Sequence, residues 1–344
     1  MKRPHIVIAA AVVVVLALLP LVLTDQYLLN NAILVVMFVG LTVAWNIAAF
    51  GGALSLGHAA FFGLGSYTSA LLLIRFDINP WIGMVAAVFM AGVGGLLMSI
   101  PLLRLRGPFF TLASLAFVEV LRLLSVYARG LTGGSEGLTV PSRPGWLYMS
   151  FLDPQPYYYI ALVMSVITVA VSAAIYYSWI GYQLRASGSD DEAVKALGVR
   201  SSRLKVFALV VSAAITGAFG AFAAQYLFII DPDTNFSYAL YSLQPALNGI
   251  VGGMGTVVGP IIGAVLMTPL GEYLRGAFAD QQGLSFIIYG VVLILVVRIM
   301  PGGLMSAIQK GRNRLGRGGR RRAAAASTAA APEEPHETRE VVKS

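Results

Sequence analysis

The chain has 344 residues, and only 12% of them are charged, with 24 Lys or Arg against 16 Asp or Glu. A soluble globular domain carries about 25% charged residues, so this composition excludes a soluble enzyme and a DNA-binding domain. The absence of cysteine excludes disulfides, thiol nucleophiles and cysteine-based metal sites. Runs of about 20 apolar residues, the length that crosses a bilayer core as a helix, recur along the sequence. They predict an all-α, polytopic helical membrane protein.

The first apolar run extends to Leu23 and follows Lys2 and Arg3. Its 18 apolar residues exceed the core of a signal peptide, which has about 7 to 15 residues. No small-x-small cleavage site precedes Thr24. We therefore expect an uncleaved first membrane span rather than a signal peptide.

Further apolar runs predict additional spans along the chain. They fall at about 28–50, 58–75, 80–103, 108–128, 157–180, 206–228 and 284–300. A membrane domain is therefore expected over residues 1–300. Residues 301–344 are rich in Gly, Arg and Ala and then in acidic residues, a composition typical of a disordered basic tail.

Lys and Arg residues are concentrated in segments that one orientation brings to the same side. If the N-terminus is cytoplasmic, then Arg104, Arg106, the 181–205 loop and the tail are cytoplasmic too, and 18 of the 24 Lys and Arg lie there. This distribution agrees with the positive-inside rule, which the reverse orientation would violate. We therefore expect both termini in the cytoplasm. The net charge of +8 reflects this topology, and no nucleic-acid partner is expected.

Two apolar segments are rich in glycine. The first is Gly51 to Gly65, and the second, Phe236 to Gly271, is also interrupted by Pro245, Pro260 and Pro269. The second segment must begin and end outside, so it forms either a re-entrant pair of short helices or two spans, giving eight or ten crossings in total. Its glycines recur every four residues, a spacing typical of close helix contacts. Interrupted segments in both halves of a chain indicate broken helices that line a substrate path.

Polar residues inside the spans are candidates for lining such a path, because a charge in hydrocarbon is costly and faces protein or water instead. The candidates for this path are Asn46, Gly57, His58, Glu119, Gln225 and Asn248. Glu119 and Arg122 are three residues apart on one helix face, so we expect an ion pair whose role is either structural or in the path. His58 either orients a broken helix or relays protons.

Motifs for catalysis are absent from the sequence. There is no Gly-Lys dipeptide, so the chain lacks a phosphate-binding loop of the GxxxxGK(S/T) type. The segment from Gly133 to Gly137 matches GxSxG, yet no strand is predicted before it and His58 is predicted on the opposite side. We expect a protein that is not an enzyme and that binds no metal and no cofactor of its own.

The predicted cytoplasmic loop at 181–205 contains a sequence pattern that is typical of the start of a helix. Exposure to lipid does not explain this pattern. Ser189 and Glu192 match a capping box, in which each side chain accepts a hydrogen bond from the backbone N–H of the other. A helix is therefore predicted from Asp190 to Leu197. Gly198 is placed to end this helix in a left-handed conformation.

The predicted helix presents a small apolar knob. Ala193, Ala196 and Leu197 have the spacing that places side chains on one helix face. A helix of this length is not stable in isolation and needs a surface to lie against. We expect a cytosolic partner protein to supply that surface, with the lipid headgroup region as the alternative.

Four blocks of sequence are distinctive in combination. They are GGALSLGHAAFFGLGSYTSALLL; RGPFFTLASLAFVEVLRLL with LTGGSEGL; DDEAVKALGV followed by SRLKVFALVVSAAITGAFGAF; and NGIVGGMGTVVGPIIGA. Together they resemble the permease subunits of bacterial branched-chain amino acid ABC importers. The resemblance extends, in order, from about residue 28 to residue 300.

The resemblance implies an inner-membrane permease subunit paired with a second, homologous permease. It also implies two cytoplasmic ATPase subunits, which bind the ATP, and a periplasmic substrate-binding protein. The residues that couple the permease to the ATPase in this family carry over onto Asp190, Asp191, Glu192, Ala193, Ala196, Leu197 and Gly198.

Other transport functions stay open at this point. Permeases for urea, short amides or other amino acids are similar to this family. A proton- or sodium-coupled secondary transporter belongs to a different class and would be expected to use several intramembrane carboxylates. Glu119 is the only carboxylate deep within a predicted span, which disfavours that class.

Overall fold

The computed structural model describes residues 3–22, 25–105 and 107–278, together with isolated positions between 284 and 306. Within these ranges the chain is almost entirely helical. The helices are α1 (Arg3–Val22), α2 (Gln26–Ala49), α3 (His58–Phe76), α4 (Pro80–Arg104), α5 (Pro108–Tyr127), α6 (Arg129–Thr132), α7 (Gln155–Tyr177), α8 (Trp179–Ser189), α9 (Asp191–Ala196), α10 (Ser201–Leu227), α11 (Pro232–Asn235), α12 (Gln244–Gly252) and α13 (Val258–Ala277). Two short strands, β1 (Leu138–Thr139) and β2 (Ile229–Ile230), and a π-helical turn, Ala239–Leu243, also occur.

Six of the described helices are long and apolar enough to cross a membrane, namely α2, α3, α4, α5, α7 and α10. They coincide with the spans predicted between residues 28 and 228. Helix α1 is not among these six. The predicted span at 284–300 and the predicted tail at 301–344 fall outside the continuously described ranges. The multi-pass helical architecture is therefore confirmed, whereas the predicted count of eight to ten crossings is not.

The centre of the molecule is the packing of α10 against α3 and α4. Absent side chains let the main chains approach closely, because a Cβ added at Gly65 would lie 2.1 Å from the carbonyl oxygen of Gly217. The same holds at Gly220, where a Cβ would lie 2.1 Å from the carbonyl oxygen of Phe62. Small residues at such contacts stabilise membrane helix pairs through van der Waals packing, since lipid provides no hydrophobic driving force between helices.

Helix α2 is packed against α10 and, on another side, against α7. The Ser165 hydroxyl of α7 donates to the carbonyl oxygen of Val36 in α2 at 2.7 Å. The Tyr158 hydroxyl of α7 donates to the carbonyl oxygen of Leu16 at 2.8 Å and so holds α1 on the outside of this pair. Most of α2 is buried, including Trp45, which makes it the helix around which the others are arranged.

The predicted glycine-rich segment at 236–271 forms a helical hairpin. Its first arm is broken into the π-helical turn and α12, and its second arm is α13. The arms touch through their main chains, because a Cβ at Gly263 would lie 1.9 Å from the carbonyl oxygen of Asn248. The close contact predicted from the glycine spacing is therefore present between α12 and α13.

One end of the bundle carries the loops predicted to be external. Strand β1 pairs antiparallel with β2, a short ladder that the all-α prediction did not include. Arg143 Nη1 lies 2.5 Å from Asp77 Oδ1, and Trp81 Nε1 donates to the carbonyl oxygen of Trp146 at 2.8 Å. These contacts join loops that are distant in the sequence, which is why single-sequence periodicity does not reveal them.

The opposite end of the bundle gathers the segments predicted to be cytoplasmic. A cavity of about 280 Å³ there is lined by residues of three of them, including Gly51, Leu105, Asp191 and Lys205. The α2–α3 loop, the α4–α5 loop and the region of α8 and α9 therefore share one end of the molecule. This shared end positions the candidate site described next.

Candidate functional site

The predicted coupling loop is largely helical. Helix α8, which the sequence analysis treated as loop, begins after Ser178, whose hydroxyl accepts a hydrogen bond from the Gly181 amide at 3.2 Å. Trp179 and Tyr182 of α8 are exposed. Exposed amphipathic aromatic rings are typical of helices that lie at a membrane surface. The periodicity of α8 was missed because its polar residues resemble those of a loop.

The predicted capping residue of the next helix was wrong. The structure places Ser189 in the last turn of α8, where its hydroxyl donates to the carbonyl oxygen of Arg185. Asp190 instead caps α9, since its Oδ1 accepts from the amides of Glu192 at 3.1 Å and Ala193 at 3.0 Å. An Asp at this position satisfies amides that have no partner inside the helix. The helix therefore covers Asp191–Ala196 rather than Asp190–Leu197.

The predicted end of α9 is confirmed. Gly198 has a φ of 81°, the left-handed conformation that glycine adopts without steric cost. Its amide donates to the carbonyl oxygen of Lys195 at 2.9 Å, and the Val199 amide donates to that of Val194 at 3.3 Å. Both carbonyl groups at the end of the helix are thereby satisfied.

The predicted apolar knob lies on the surface of α9. Ala193 and Ala196 are exposed, and Leu197, just after the helix, is 82% exposed. Val194 faces the opposite way and is buried. A docking surface requires exposed apolar side chains in a fixed position. A helix with both ends capped holds its side chains in such a position. That an ATPase docks there stays a prediction.

Asp191 attaches α9 to the membrane helix that follows it. Its carboxylate contacts Lys195 Nζ at 2.6 Å and, across to α10, Lys205 Nζ at 2.9 Å. Partial burial alone would raise the pKa of the Asp191 carboxyl, but the hydrogen bonds from the two ammonium groups outweigh it and hold this pKa below its usual range. Asp191 is therefore ionised at neutral pH and links α9 to α10.

Helix α8 also contacts the loop between α2 and α3. A Cβ added at Gly188 would lie 2.9 Å from the carbonyl oxygen of Phe50, and the buried side chain of Leu184 packs against Gly51. The main chains thus touch without intervening side chains. Helix α8 is thereby packed directly against the glycine-rich segment that begins at Gly51.

The two glycine-rich segments meet at the end of α2. Trp45 Nε1 donates to the carbonyl oxygen of Ser55 at 2.8 Å. The neighbouring Asn46 side chain donates to the carbonyl oxygen of Thr256 at 2.7 Å and accepts from the Gly255 amide at 2.9 Å. One turn of α2 therefore holds both the α2–α3 loop and the tip of the α12–α13 hairpin. The sequence analysis predicted both interruptions but not their meeting.

Serine side chains complete the start of α3, and the sequence analysis did not identify them. The Leu56 amide donates to Ser114 Oγ of α5 at 2.8 Å, and the Ala59 amide donates to Ser242 Oγ of the π-helical turn at 2.8 Å. His58 Nε2 lies 2.7 Å from Ser212 Oγ of α10. No sequence pattern distinguishes these serines, because each is brought to α3 by a different distant helix.

The residues predicted to line a substrate path are not brought together on one open surface. Asn46, Gly57, His58, Gln225 and Asn248 are buried within the single chain. Asn248 Nδ2, for example, donates to Thr268 Oγ1 of α13 at 3.2 Å. A path role for these five residues stays a prediction.

Glu119, in contrast, lies on the surface of α5. The ion pair with Arg122 is confirmed, with Arg122 Nη2 at 2.5 Å from Glu119 Oε1 and Nε at 3.0 Å from Oε2. Arg122 Nη1 also lies 2.6 Å from Asp233 Oδ1, a contact across 111 positions that the sequence analysis did not predict.

Comparisons with known proteins agree on one family. Residues 23–297 match the family described as the permease component of the branched-chain amino acid transport system. The chain is 28% identical over 297 residues to the high-affinity branched-chain amino acid transport system permease protein LivM of Escherichia coli, covering 79% of this chain and 68% of LivM. It is 24% identical to the corresponding LivH of Escherichia coli, over 78% of this chain and 89% of LivH.

A more distant similarity joins the chain to another import system. It is 25% identical over 269 residues to the autoinducer 2 import system permease protein LsrC of Yersinia pseudotuberculosis, covering 75% of this chain and 68% of LsrC. No solved structure gives a significant match. Because the family match covers residues 23–297 and all six candidate spans, the chain belongs to the family of branched-chain amino acid transport system permeases.

Proposed function

We propose that the chain is the permease subunit of an ATP-driven importer that carries branched-chain amino acids across the inner membrane of a bacterium. The observation that carries this proposal is the family match over residues 23–297. LivM and LivH are two different permeases named for one kind of transport system, and the chain is similar to both. A second, homologous permease subunit is therefore part of the proposal.

The energy for transport comes from two cytoplasmic ATPase subunits that dock on the segment from Asp190 to Gly198. This proposal is supported by the exposed knob of Ala193, Ala196 and Leu197 on a helix with both ends capped. It is also supported by the contacts of α8 and α9 with α10 and with the α2–α3 loop, which give a docked partner a direct connection to the membrane helices. A periplasmic binding protein delivers the solute at the opposite end.

The orientation follows from the same arrangement. The end that holds Asp191 and Lys205 is cytoplasmic, and the end that holds the β1–β2 ladder faces the periplasm, with the N- and C-termini in the cytoplasm. The clustering of the predicted cytoplasmic segments around one cavity supports this assignment. The positive-inside rule supports it independently.

Substitution of the knob tests the docking surface. Ala193→Arg places a long charged side chain in the apolar contact, so co-purification of the two ATPases with the permease should be lost while the permease remains monodisperse in detergent. Ser189→Arg introduces the same side chain at an exposed position outside the knob and should retain both ATPases. Normal co-purification of the Ala193→Arg variant would overturn the docking assignment.

Transport by the assembled importer in vesicles tests the function itself. Uptake of labelled leucine, isoleucine or valine should require ATP and the binding protein, and it should be insensitive to a protonophore. Uptake that continues without ATP and collapses with the protonophore would indicate a secondary transporter instead. Uptake of urea or short amides with no uptake of branched-chain amino acids would assign a different solute.

A further inference from the structure

Helix α5 leaves one face uncovered along its whole length. Only 17% of its most apolar window is buried, the lowest fraction among the six candidate spans. Exposed positions recur every three or four residues along this face and form a line that we call the α5 stripe. It consists of Phe109, Leu112, Ala116, Glu119, Leu123 and Tyr127, and the exposed Val120 and Leu124 lie beside it.

A charged residue interrupts the middle of the α5 stripe. Glu119 lies eight positions before Tyr127, the last residue of α5, which corresponds to about 12 Å along a helix. Its side chain is 52% exposed, and the stripe is apolar on both sides of it. A carboxylate is costly in hydrocarbon and is found where it faces protein or water. The α5 stripe is therefore a poor surface for lipid.

Helix α4 shows what a lipid-facing surface of the same chain looks like. Its exposed positions include Val85, Phe89 and Leu96, and no charged residue precedes Arg104 at its end. The exposed faces of the two helices thus differ in their chemistry. This contrast assigns the α4 face to lipid and leaves the α5 stripe to water or protein.

Arg122 contacts two carboxylates, and the two contacts differ in number and in exposure. Glu119, on the same helix, makes two contacts with it at 2.5 and 3.0 Å, so this pair is a fixed unit of α5. Asp233 makes one contact at 2.6 Å from α11, and its side chain is 71% exposed. The Asp233 contact is therefore the less constrained of the two.

We propose that the α5 stripe is the wall of the solute route, facing the second permease across a water-filled space, and that Arg122 is the residue on this wall that binds the carboxylate of the solute. The proposal rests on the proposed function, which makes the solute a zwitterionic amino acid. The solute carboxylate replaces Asp233 on Arg122 Nη1, so that Arg122 keeps two anionic partners. The released Asp233 carboxylate then accepts from the solute ammonium group, and no charge is left without a partner.

Cysteine labelling tests the location of the wall, and the chain is suited to it because it contains no cysteine of its own. A thiol reacts with a membrane-impermeant maleimide as the thiolate, which forms only in contact with water. In the assembled importer, Leu123→Cys, four positions before the end of α5, should react at least about tenfold faster than Val85→Cys, five positions after the start of α4 on its exposed face. Equal, slow labelling at both positions would show that the α5 stripe does not face water and would overturn the proposal.

Neutral substitution tests the role of Arg122. The triple variant Glu119→Gln, Arg122→Gln and Asp233→Asn removes all three charges together and leaves no unpaired charge behind. A merely structural ion cluster tolerates such a replacement. If Arg122 binds the solute, leucine uptake should fall by at least about tenfold, the effect of one lost charged hydrogen bond, while ATPase co-purification and expression stay at the wild-type level. Wild-type uptake by the triple variant would overturn the binding role.

The labelling experiment tests the location of the wall separately from the proposed function. Labelling of Leu123→Cys does not depend on which solute is carried, so fast labelling without leucine uptake would retain the wall and reject the solute assignment. Protection of Leu123→Cys by the binding protein loaded with leucine, with no protection by the empty binding protein, is expected if both proposals hold.

Discussion

Asp191 joins α9 to the neighbouring helix α10. It lies in the first turn of α9 and bridges Lys195 of the same helix and Lys205 of α10. The carboxylate is also close to the positive end of the helix dipole, where an anion is favourable. A single side chain thus attaches α9 to the membrane helix that follows it, and the two lysines do not contribute equally to that attachment.

Lys205→Gln should loosen α9 more than Lys195→Gln. The first substitution removes an ion pair that joins α9 to α10, whereas the second removes a pair within α9. We expect a loss of about 1 kcal/mol in the local opening free energy, because the pair is only partly exposed. Hydrogen exchange of the amides at 191–197 measures this change, and equal effects of the two variants would contradict the bridge.

The Asp191 attachment should not respond to pH in the physiological range. The pKa of its carboxyl is lowered on folding, so its stabilising contribution is complete above the unfolded pKa of about 3.9 and is lost as the pH falls through the folded value. Protection of the α9 amides, corrected for intrinsic exchange rates, should therefore be constant from about pH 5 to 8. A drop in protection between these values would show that another group controls α9.

The N-terminal cap of α9 can also be tested by substituting single residues. Asp190→Ala removes the acceptor for the Glu192 and Ala193 amides and should destabilise α9 by about 1 kcal/mol. Ser189→Ala should have little effect, because the Ser189 hydroxyl bonds only to the preceding helix. Hydrogen exchange of α9 distinguishes the two, and a larger effect of Ser189→Ala would restore the capping box predicted from the sequence.

Among the elements, the α12–α13 hairpin is the one most constrained by its neighbours. Its arms touch through main-chain atoms, and its tip is held by the Asn46 side chain of α2. The tip of the α12–α13 hairpin and the α2–α3 loop are thus both held by the same turn of α2. A movement of one is expected to move the other, because hydrogen bonds to both come from consecutive residues.

Gly263→Ala should separate the two arms of the hairpin. The added Cβ would lie 1.9 Å from the carbonyl oxygen of Asn248, so the helices must move apart, at a cost of about 1–3 kcal/mol or more. Gly276→Ala is the matched control in the same helix, since its Cβ would meet only the Tyr27 hydroxyl at 3.7 Å. The melting temperature in detergent should fall for Gly263→Ala and be unchanged or raised for Gly276→Ala.

At the scale of the whole molecule, the chain is a bundle of membrane helices from a family of transport permeases. Its buried polar residues hold helices to one another, and its exposed features are the knob on α9 and the α5 stripe. The first lies at the proposed cytoplasmic end and the second along the side of the bundle. These two positions agree with a subunit that binds an ATPase at its cytoplasmic end and a second permease along its side.

The isolated chain should therefore not concentrate a solute. In vesicles that contain this subunit alone, leucine should not accumulate above the external concentration, with or without ATP. Vesicles with the complete importer, the binding protein and ATP provide the positive control. Accumulation by the lone subunit would contradict the proposed dependence on partner subunits.

Much of this architecture could be predicted from the sequence. The apolar runs at 28–50 and 58–75 are helices with nearly the predicted bounds, because hydrocarbon length fixes helix length. The end of α9 at Gly198 was predicted correctly, because a left-handed helix end favours glycine whatever surrounds it. The Glu119–Arg122 pair was predictable as well, since residues three apart on a helix are neighbours.

Other features were decided only by the tertiary structure. Asp190 caps α9 because α8 continues through Ser189 and uses its hydroxyl, which local sequence does not reveal. Asp233 reaches Arg122, and Asn46 reaches Thr256, because distant helices fold against each other. The sequence by itself determined where the six candidate spans lie, since hydrophobicity is a short-range property. Which polar groups meet, and which face of α5 stays uncovered, depended on packing between helices far apart in the chain.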